Sequence, residues 1–423
     1  LPVAGVSLTT RTGVIHLQGM VLRELDADCA IVGGGPAGMM LAVLLAKSGI
    51  DVVLMEKHAD FLRDFRGDTI HPSTLEVMRE IGLLEQLLAL PHTRANSLQA
   101  EIGGAQVTIA DFSRLPVGCR YIAFMPQWDF LNLLAQEAKA AGLRLEMPAK
   151  VTGLIEADGR VCGVNAETAD GELAVRAGLV VVAEGRKSGL REAAGLEVDN
   201  FGLPGEVLWF RLSHQPDDPP YTMSHAGPQQ GLVMIDRGAF WQCGYILRSE
   251  SHAAIQQKGI DAFRAMVAPA LPLPASRLDE VTSFDDVQLL TIRIDRLRRW
   301  WKPGLLCIGD AAHAMSPIGG VGVNLAIQDA VAAANILTGP LRKGGVSDAH
   351  LAAVQKRREW PARLTQKLQV MMQKGAKKRR EAGSTAGPPG IMRKIARWPV
   401  LAHLTGRLIG LGIRPEHVKR QKY

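Results

Sequence analysis

Hydrophobic and polar positions near the start of the chain fall into a strand, a helix and a second strand. Asp28 to Val32 (DCAIV) is a short apolar run that ends in Gly33-Gly34-Gly35-Pro36-Ala37-Gly38. Met39 to Lys47 has helical composition and stops at Gly49, and Asp51 to Met55 (DVVLM) is again strand-like, ending at Glu56. This order predicts a β-α-β unit of about 30 residues.

Further along, residues 66–90 and 127–142 are predicted helical, the second rich in Leu and Ala. Residues 143–183 alternate between turn signals at Ala157-Asp158-Gly159 and Ala169-Asp170-Gly171, which predicts a small antiparallel meander ending in the apolar strand Leu179 to Ala183. Residues 201–295 are strand-rich with Pro-rich breaks at 216–220 and 269–274, and form a separate, mostly β unit. Leu305 to Gly309 (LLCIG) is another buried strand, followed by a Gly-rich loop and an apolar helix from Val323 to Leu337. After Pro340 the chain is helical and basic, with a break at Gly383 to Gly390.

The expected domains follow: 26–95, 118–200 and 290–345 together; 96–117 with 201–289 as a β-rich unit; and 346–423 as a helical region. Residues 1–20 are expected to be an upstream extension, with Met20 a candidate start. No internal repeat is evident.

The glycines give the β-α-β unit its chemistry. Gly33 permits the tight turn, Gly35 lets the backbone approach a pyrophosphate, and Gly38 allows close helix-strand packing. Pro36 and Ala37 open the helix, whose N-terminus offers unpaired N–H groups and the positive end of its dipole. Glu56, with Lys57 beside it, is placed to meet an adenosine ribose. No second such motif follows a strand, so one dinucleotide has a fold of its own.

Composition narrows the class. With 423 residues, 47% hydrophobic and 22% charged, the chain is an ordinary globular protein, which excludes disorder, collagen and a disulfide scaffold. Five dispersed cysteines suit free thiols in a reducing, cytoplasmic setting, and no Cys/His spacing suggests a metal. The longest apolar stretch, Gly38 to Met55, is broken by Lys47, Ser48 and Asp51, so no membrane span is expected, and residues 1–20 lack signal-peptide features. The net charge of +7 is uneven: residues 341–423 hold 20 Lys and Arg against 4 Asp and Glu. Solvated helix faces explain this, and contact with an anionic membrane surface is the sharper alternative. No nucleic-acid module is visible.

Two further segments shift the reading from NAD to flavin. Leu179 to Ala183 runs into Glu184-Gly185-Arg186-Lys187-Ser188-Gly189-Leu190-Arg191, and Leu305 to Ile308 runs into Gly309-Asp310-Ala311-Ala312-His313-Ala314-Met315-Ser316-Pro317. With Gly33 to Gly38 these resemble the three fingerprints of the class A flavoprotein aromatic hydroxylases, the para-hydroxybenzoate hydroxylase family, over about residues 26–340. The resemblance implies an α/β fold: a Rossmann-like FAD-binding domain with an inserted, mostly antiparallel β substrate domain, followed here by the C-terminal helical region.

It also implies roles. Asp310 would bond the ribityl hydroxyls of FAD, Pro317 would sit near the reactive carbon, and Gly319 to Asn324, including Gly320, Gly322 and Val323, would line the pyrimidine edge. Arg66 would approach the cofactor, Gln127 its sugar and phosphates, and Val151 the adenine. The family's second fingerprint reads Asp-Gly, whereas this chain has Glu184-Gly185; the added methylene bears on reduction by NADH or NADPH. Arg186, Lys187 and Arg191 are either phosphate partners or ordinary surface charges.

The implied reaction is flavin reduction by NAD(P)H, then O2 activation as a C4a-hydroperoxide and oxygen transfer to an aromatic or polycyclic substrate. His71, Tyr221, His225 and Tyr245 are candidate bases, with Pro317, His71 and Tyr245 the catalytic set, while His313 is expected to be positional. In Phe240 to Ile246, alternation separates Trp241, Cys243 and Tyr245 from Gln242 and Gly244, so one face lines the substrate pocket or the aromatic face is core. With four tyrosines, and only Arg211 and Arg248 as carboxylate partners there, a larger, apolar substrate is favoured. A halogenase is disfavoured, since Trp300-Trp301-Lys302-Pro303 does not match its Trp-x-Trp-x-Ile-Pro segment. A reductase of isoprenoid double bonds and a non-catalytic FAD-binding protein remain as alternatives. The sequence sets no oligomeric state.

Overall fold

The computed structural model describes residues 12–17, 20–61, 69–102, 105–202, 205–218, 223–226, 231–247, 251–381 and 398–419. Arg66, Tyr221 and Arg248 lie outside the described residues, as does the side chain of His225.

The first large sheet is built on the β-α-β unit. Strand β1 (Thr12–Leu17) pairs with the start of β2 (Met20–Val32), helix α1 (Pro36–Lys47) follows, and β3 (Val52–Met55) returns parallel to β2. Residues 12–17, expected as part of an extension, are thus a sheet strand. Ala37 to Ala46 are all buried, because α1 packs between the sheet, helix α4 (Gln127–Ala140) and helix α8 (Val321–Arg342). An apolar helix without a polar face fits such a position. Helix α8 is long and apolar enough to cross a membrane, but 72% of its apolar window is buried inside the fold.

Strand β9 (Arg144–Glu146) extends the sheet beyond β3. The meander is β10 (Ala149–Ala157), β11 (Arg160–Thr168) and β12 (Gly171–Val182). Its first turn places Asp158 and Gly159 at positive φ. The last strand does double duty: residues 171–176 pair antiparallel with β11, while 180–182 pair parallel with β21 (Leu305–Cys307), itself paired with β20 (Trp301–Lys302). Its other edge lies parallel to β2. The order β21-β12-β2-β3-β9 is therefore parallel throughout.

Helices α2 (Pro72–Glu80) and α3 (Leu84–Ala89) occupy the stretch predicted as one helix, separated at Gly82, which has a φ of 78°. A small sheet joins β4 (Thr69–Ile70), β8 (Ile122–Phe124) and β5 (Thr93–Ala95), and β13 (Val198–Asn200) pairs with β19 (Asp295–Leu297). Short helix α5 (Gly189–Ala193) follows β12.

The second large sheet runs β18-β14-β17-β16-β15-β6-β7, from β6 (Ser97–Ile102), β7 (Ala105–Asp111), β14 (Gly205–Ser213), β15 (Met223–Ala226), β16 (Gly231–Asp236), β17 (Phe240–Leu247) and β18 (Gln288–Ile292). Strand β18 carries this sheet to Ile292, past the boundary expected at 289. One face is covered by α6 (His252–Lys258) and α7 (Ile260–Val267), whose Ile255, Phe263 and Val267 pack on Leu208, Phe210, Leu212 and Met234. Helix α9 (Asp348–Glu381) then packs along α8, and α10 (Pro399–Gly410) lies on β7, where a Cβ at Gly406 would collide with the Asp111 carbonyl.

Candidate functional site

The three motifs converge where parallel strands end together. Ile308 N–H donates to Val182 O (3.1 Å), Ala183 N–H to Val32 O (2.7 Å) and Gly33 N–H to Met55 O (2.8 Å). In open α/β sheets, the crevice beyond such carboxyl ends is where nucleotides bind. Close approach explains the glycines. Gly33 has a φ of 105°, and a Cβ there would lie 2.5 Å from the Ala183 carbonyl oxygen. A Cβ on Gly38 would run into the Gly33 carbonyl oxygen, and one on Gly309 would come within 3.0 Å of Ala37.

Gly35, in contrast, has nothing within 4 Å of its Cβ position. It caps α1 with no side-chain partner, and Pro36 is the first helical residue. The N–H groups of Ala37 and Gly38 belong to the first helical turn, which has no intrahelical acceptors, at the positive end of the helix, which suits a pyrophosphate. This combination of open approach and uncapped donors fits FAD.

Glu56 is 5% exposed, and its carboxylate accepts from Gly34 N–H at 2.7 Å and His58 N–H at 3.1 Å. It therefore shapes the glycine loop as well as presenting an acid beside it. Lys57 is exposed, Gln127 opens α4 from a buried position, and Val151 is half-buried on β10. Near this end lies a groove of about 460 Å³ whose lining includes Asp60, Phe61, Trp128, Leu145 and Met147.

The second fingerprint behaves differently from a row of surface charges. Glu184 turns back into its own loop, accepting from Ser188 Oγ (2.7 Å) and Leu190 N–H (3.2 Å), while Ser188 caps α5. The extra methylene gives the carboxylate that reach. Gly185 takes the positive φ (80°) of the turn. Arg186 pairs with Asp310 at 3.0 Å and donates to Thr291 O. Arg191 is 3% exposed and meets Asp295 and the Ala311 carbonyl, so burial removes it as a phosphate partner; Lys187 is exposed.

At the third motif, Gly319 and Gly320 hold φ of 79° and 63°, and Gly320 caps α8. Pro317 precedes them, half-buried, and Gly322 and Val323 occupy the first turn of α8, with Asp310 Oδ1 4.0 Å from the Gly322 Cβ position. Asn324 is buried, its Oδ1 accepting from Ser73 Oγ (2.6 Å) and Thr74 Oγ1 (3.0 Å). His71 is fully buried and donates from Nδ1 to Ile409 O (2.9 Å). Burial pushes its pKa down to about 4, against a smaller upward pull from the Ile409 and Gly320 carbonyls, so it is neutral near pH 7.

Tyr245 requires a correction. It shares the core under α6 and α7 with Trp241 and Cys243, is 5% exposed, and its hydroxyl lies 3.4 Å from Met266 O. The opposite face packs through Trp209, Val233 and Ile235 toward Phe124 and Leu411. Phe124 pairs with Thr69, which bonds Gly320 O, so that opposite face looks to the Gly320 loop and Tyr245 lies on the face turned away from it.

Sequence reasoning missed Asp329, Arg358 and Glu416. Asp329 is fully buried; its Oδ2 accepts from Gly309 N–H (3.0 Å) and His313 Nε2 (2.6 Å), and its Oδ1 from Arg358 Nε (3.0 Å). Burial raises the Asp329 carboxyl, but His313 and Arg358 more than offset this and leave it below the ordinary range. A lone acid in a mostly apolar helix was the available signal.

The chain matches the FAD binding domain family over residues 26–368. It is 34% identical over 347 residues to 6-methylpretetramide 4-monooxygenase of Streptomyces rimosus, covering 81% of this chain and 83% of that one. It is 29% identical to rifampicin monooxygenase of Streptomyces venezuelae over 72% of this chain, and spans 62% of that longer protein. The structure of p-nitrophenol 4-monooxygenase from Pseudomonas putida superposes with a TM-score of 0.71 at 19% identity, covering 90% of this chain and 99% of that one, which shows the shared fold. The chain therefore belongs to the FAD binding domain family and is an FAD-dependent monooxygenase of the aromatic hydroxylase class.

Proposed function

We propose that the enzyme hydroxylates a flat, largely apolar polycyclic aromatic compound held between the flavin loops and the seven-stranded sheet, with NADH or NADPH and O2 as co-substrates. The observation that carries this reading is Trp209. It faces Gly244 on the neighbouring strand, and a Cβ there would lie 2.8 Å from the indole ring. The missing side chain lets the indole lie flat over the sheet. Val207, Leu290 and Ile292 continue the apolar surface on one side, and Val233 and Ile235 on the other. Arg211 stacks over Phe240 and Arg237 bonds Gln242, so these cations are engaged locally rather than gathered for a small acid. The names of the two sequence relatives, enzymes for 6-methylpretetramide and rifampicin, support a large substrate.

Bound FAD supplies the redox chemistry, accepting a hydride from NAD(P)H and activating O2. The chain's residues bind and orient it. The α1 N-terminus and Gly35 would take the pyrophosphate, Glu56, Lys57, Gln127 and Val151 the adenosine end, and Asp310 the ribityl chain. Backbone N–H groups of Gly319 to Asn324 would meet the pyrimidine edge, which becomes anionic on reduction. Pro317 would stand beside the ring, and neutral His71 packs behind Gly320. The sheet covers the site and excludes water.

Anaerobic mixing with NADPH or NADH tests this reading. Polycyclic phenols are expected to accelerate flavin reduction over the ligand-free rate. Acceleration by small phenolic acids alone would overturn the polycyclic assignment.

We also infer that the basic C-terminal region meets an anionic membrane surface. Trp398, Val400, Leu404 and Leu408 are 61%, 68%, 63% and 37% exposed and mark one stripe at the start and along α10, within a segment carrying 20 Lys and Arg. Sedimentation with phosphatidylglycerol vesicles but not phosphatidylcholine vesicles, lost in Leu404→Asp, is expected; no sedimentation with either vesicle would refute it.

A further inference from the structure

The loop from Gly309 to Asn324 is tied back at both ends to the same C-terminal segment. At one end, Asp329 holds Gly309 N–H, Arg358 holds Asp329, and Arg358 Nη1 reaches Glu416 Oε1 at 3.2 Å and Arg414 O at 3.3 Å. Arg357 Nε joins the same Glu416 oxygen at 2.6 Å, and Glu416 N–H donates to Gln328 Oε1. At the other end, Ser73 Oγ bonds both Asn324 Oδ1 (2.6 Å) and Gly410 O (3.1 Å), and His71 bonds Ile409 O. Asp329 and Arg358 are at most 1% exposed and Glu416 is 7% exposed.

We infer that residues 409–419 are a strap that positions the flavin loop through the buried relay Glu416, Arg358 and Asp329. The charges explain why three ionic groups are placed together. Asp329 alone could hold Gly309, but a buried carboxylate needs compensating partners, and Arg358, beside the His313 Nε2 contact at 2.6 Å, is the permanent cation among them. A guanidinium presents several donors, so its orientation is fixed only when a second acceptor takes the other side of the fork. Glu416 is that acceptor, contributed by the strap. Asp310 follows Gly309 directly, so the setting of its carboxylate depends on a residue more than 100 positions away. None of the three relay groups belongs to the set assigned to FAD itself; they are positioning residues.

This inference rests on the assignment of the Gly309 to Asn324 loop to FAD. The test uses Glu416→Gln in the full chain, with FAD affinity measured by flavin fluorescence on titrating apoprotein, and the visible absorption and redox potential of the bound flavin. The expected result is about a tenfold weaker FAD complex with a shifted flavin potential in a protein that still folds, its apoprotein melting below wild type. Glu80→Gln is the control. It removes a different tail contact, where Glu80 takes His417 Nδ1 (2.5 Å) and Val418 N–H (2.7 Å), and it is expected to leave FAD affinity within about twofold.

Equal losses in the two variants would reduce the relay to general tail docking and overturn it. So would a folded Glu416→Gln protein with wild-type affinity and potential. If Glu416→Gln does not fold, Arg357→Gln, which removes the half-buried second cation on Glu416, is expected to weaken FAD by about two- to fivefold, and no change overturns the relay. Asp310→Ala separates the underlying assignment: FAD bound normally in that variant removes the loop's role altogether.

Discussion

The Arg186 guanidinium lies 3.0 Å from the Asp310 carboxylate, and this ion pair joins the second fingerprint to the third. Both side chains are about one-quarter exposed, so the pair is weaker than a buried one but keeps the acid oriented at the mouth of the crevice. Arg186→Gln is expected to weaken FAD by a few-fold. Asp310→Asn is expected to weaken it by roughly 10- to 100-fold, as for loss of a charge-assisted hydrogen bond. Titration of apoprotein with FAD checks both, and the reverse ranking would refute the pair's role.

Glu184 holds its own loop, and one fewer methylene withdraws its carboxylate from Ser188 Oγ and Leu190 N–H. Glu184→Asp is expected to cost about 1 kcal/mol of stability with FAD still bound, read from denaturant unfolding and flavin content. Unchanged stability would show that these bonds contribute nothing net.

Gly38→Ala puts a methyl group against the backbone carbonyl oxygen of Gly33, a residue anchored through its N–H to Met55 O. About 1–3 kcal/mol of strain and loss of the flavin colour are expected. Gly35→Ala, with open space at its Cβ, is expected to leave the apoprotein stable and act only on FAD affinity. Equal apoprotein melting points for the two variants would contradict this contrast.

His71 contributes a pH dependence with a definite sign. Its pKa is lowered to about 4 in the fold from about 6.5, so between these values the unfolded chain binds more protons. The stability associated with neutral His71 is fully present above pH 6.5 and is lost as pH falls toward 4, by roughly 3 kcal/mol in all. Unfolding free energies across this window should fall less steeply for His71→Gln than for wild type; parallel curves would refute the assignment.

Trp209→Leu removes the flat indole over Gly244 while keeping an apolar residue. Binding of polycyclic phenols is expected to weaken by about 5- to 30-fold, with ligand-free flavin reduction unchanged. Wild-type binding by the variant would remove Trp209 from the pocket.

The local parts of the site were legible because their chemistry is local. Gly33, Gly38 and Gly309 mark backbone contacts no other residue permits, and the runs DVVLM and LLCIG read as buried strands because they are covered on both faces. The facing of Trp241, Cys243 and Tyr245 was not legible. Alternation separates two faces but does not say which one helices α6 and α7 will cover. The pairing of Asp329, Arg358 and Glu416 was not legible for another reason: it lies in contacts between distant segments, and nothing near any of them in the chain marks its partner. Gly244 belongs with them, since it is informative only once Trp209 is known to lie opposite.

The proposed reaction inserts an oxygen atom from O2 into a polycyclic aromatic compound. Incubation with FAD, NADPH or NADH and a panel of polycyclic phenols under ¹⁸O2, followed by mass spectrometry, tests it most directly. A product heavier by one ¹⁸O atom, formed with coupled NAD(P)H consumption, is expected. A product reduced at a carbon-carbon double bond without ¹⁸O, or flavin turnover that yields only hydrogen peroxide with every compound, would contradict it.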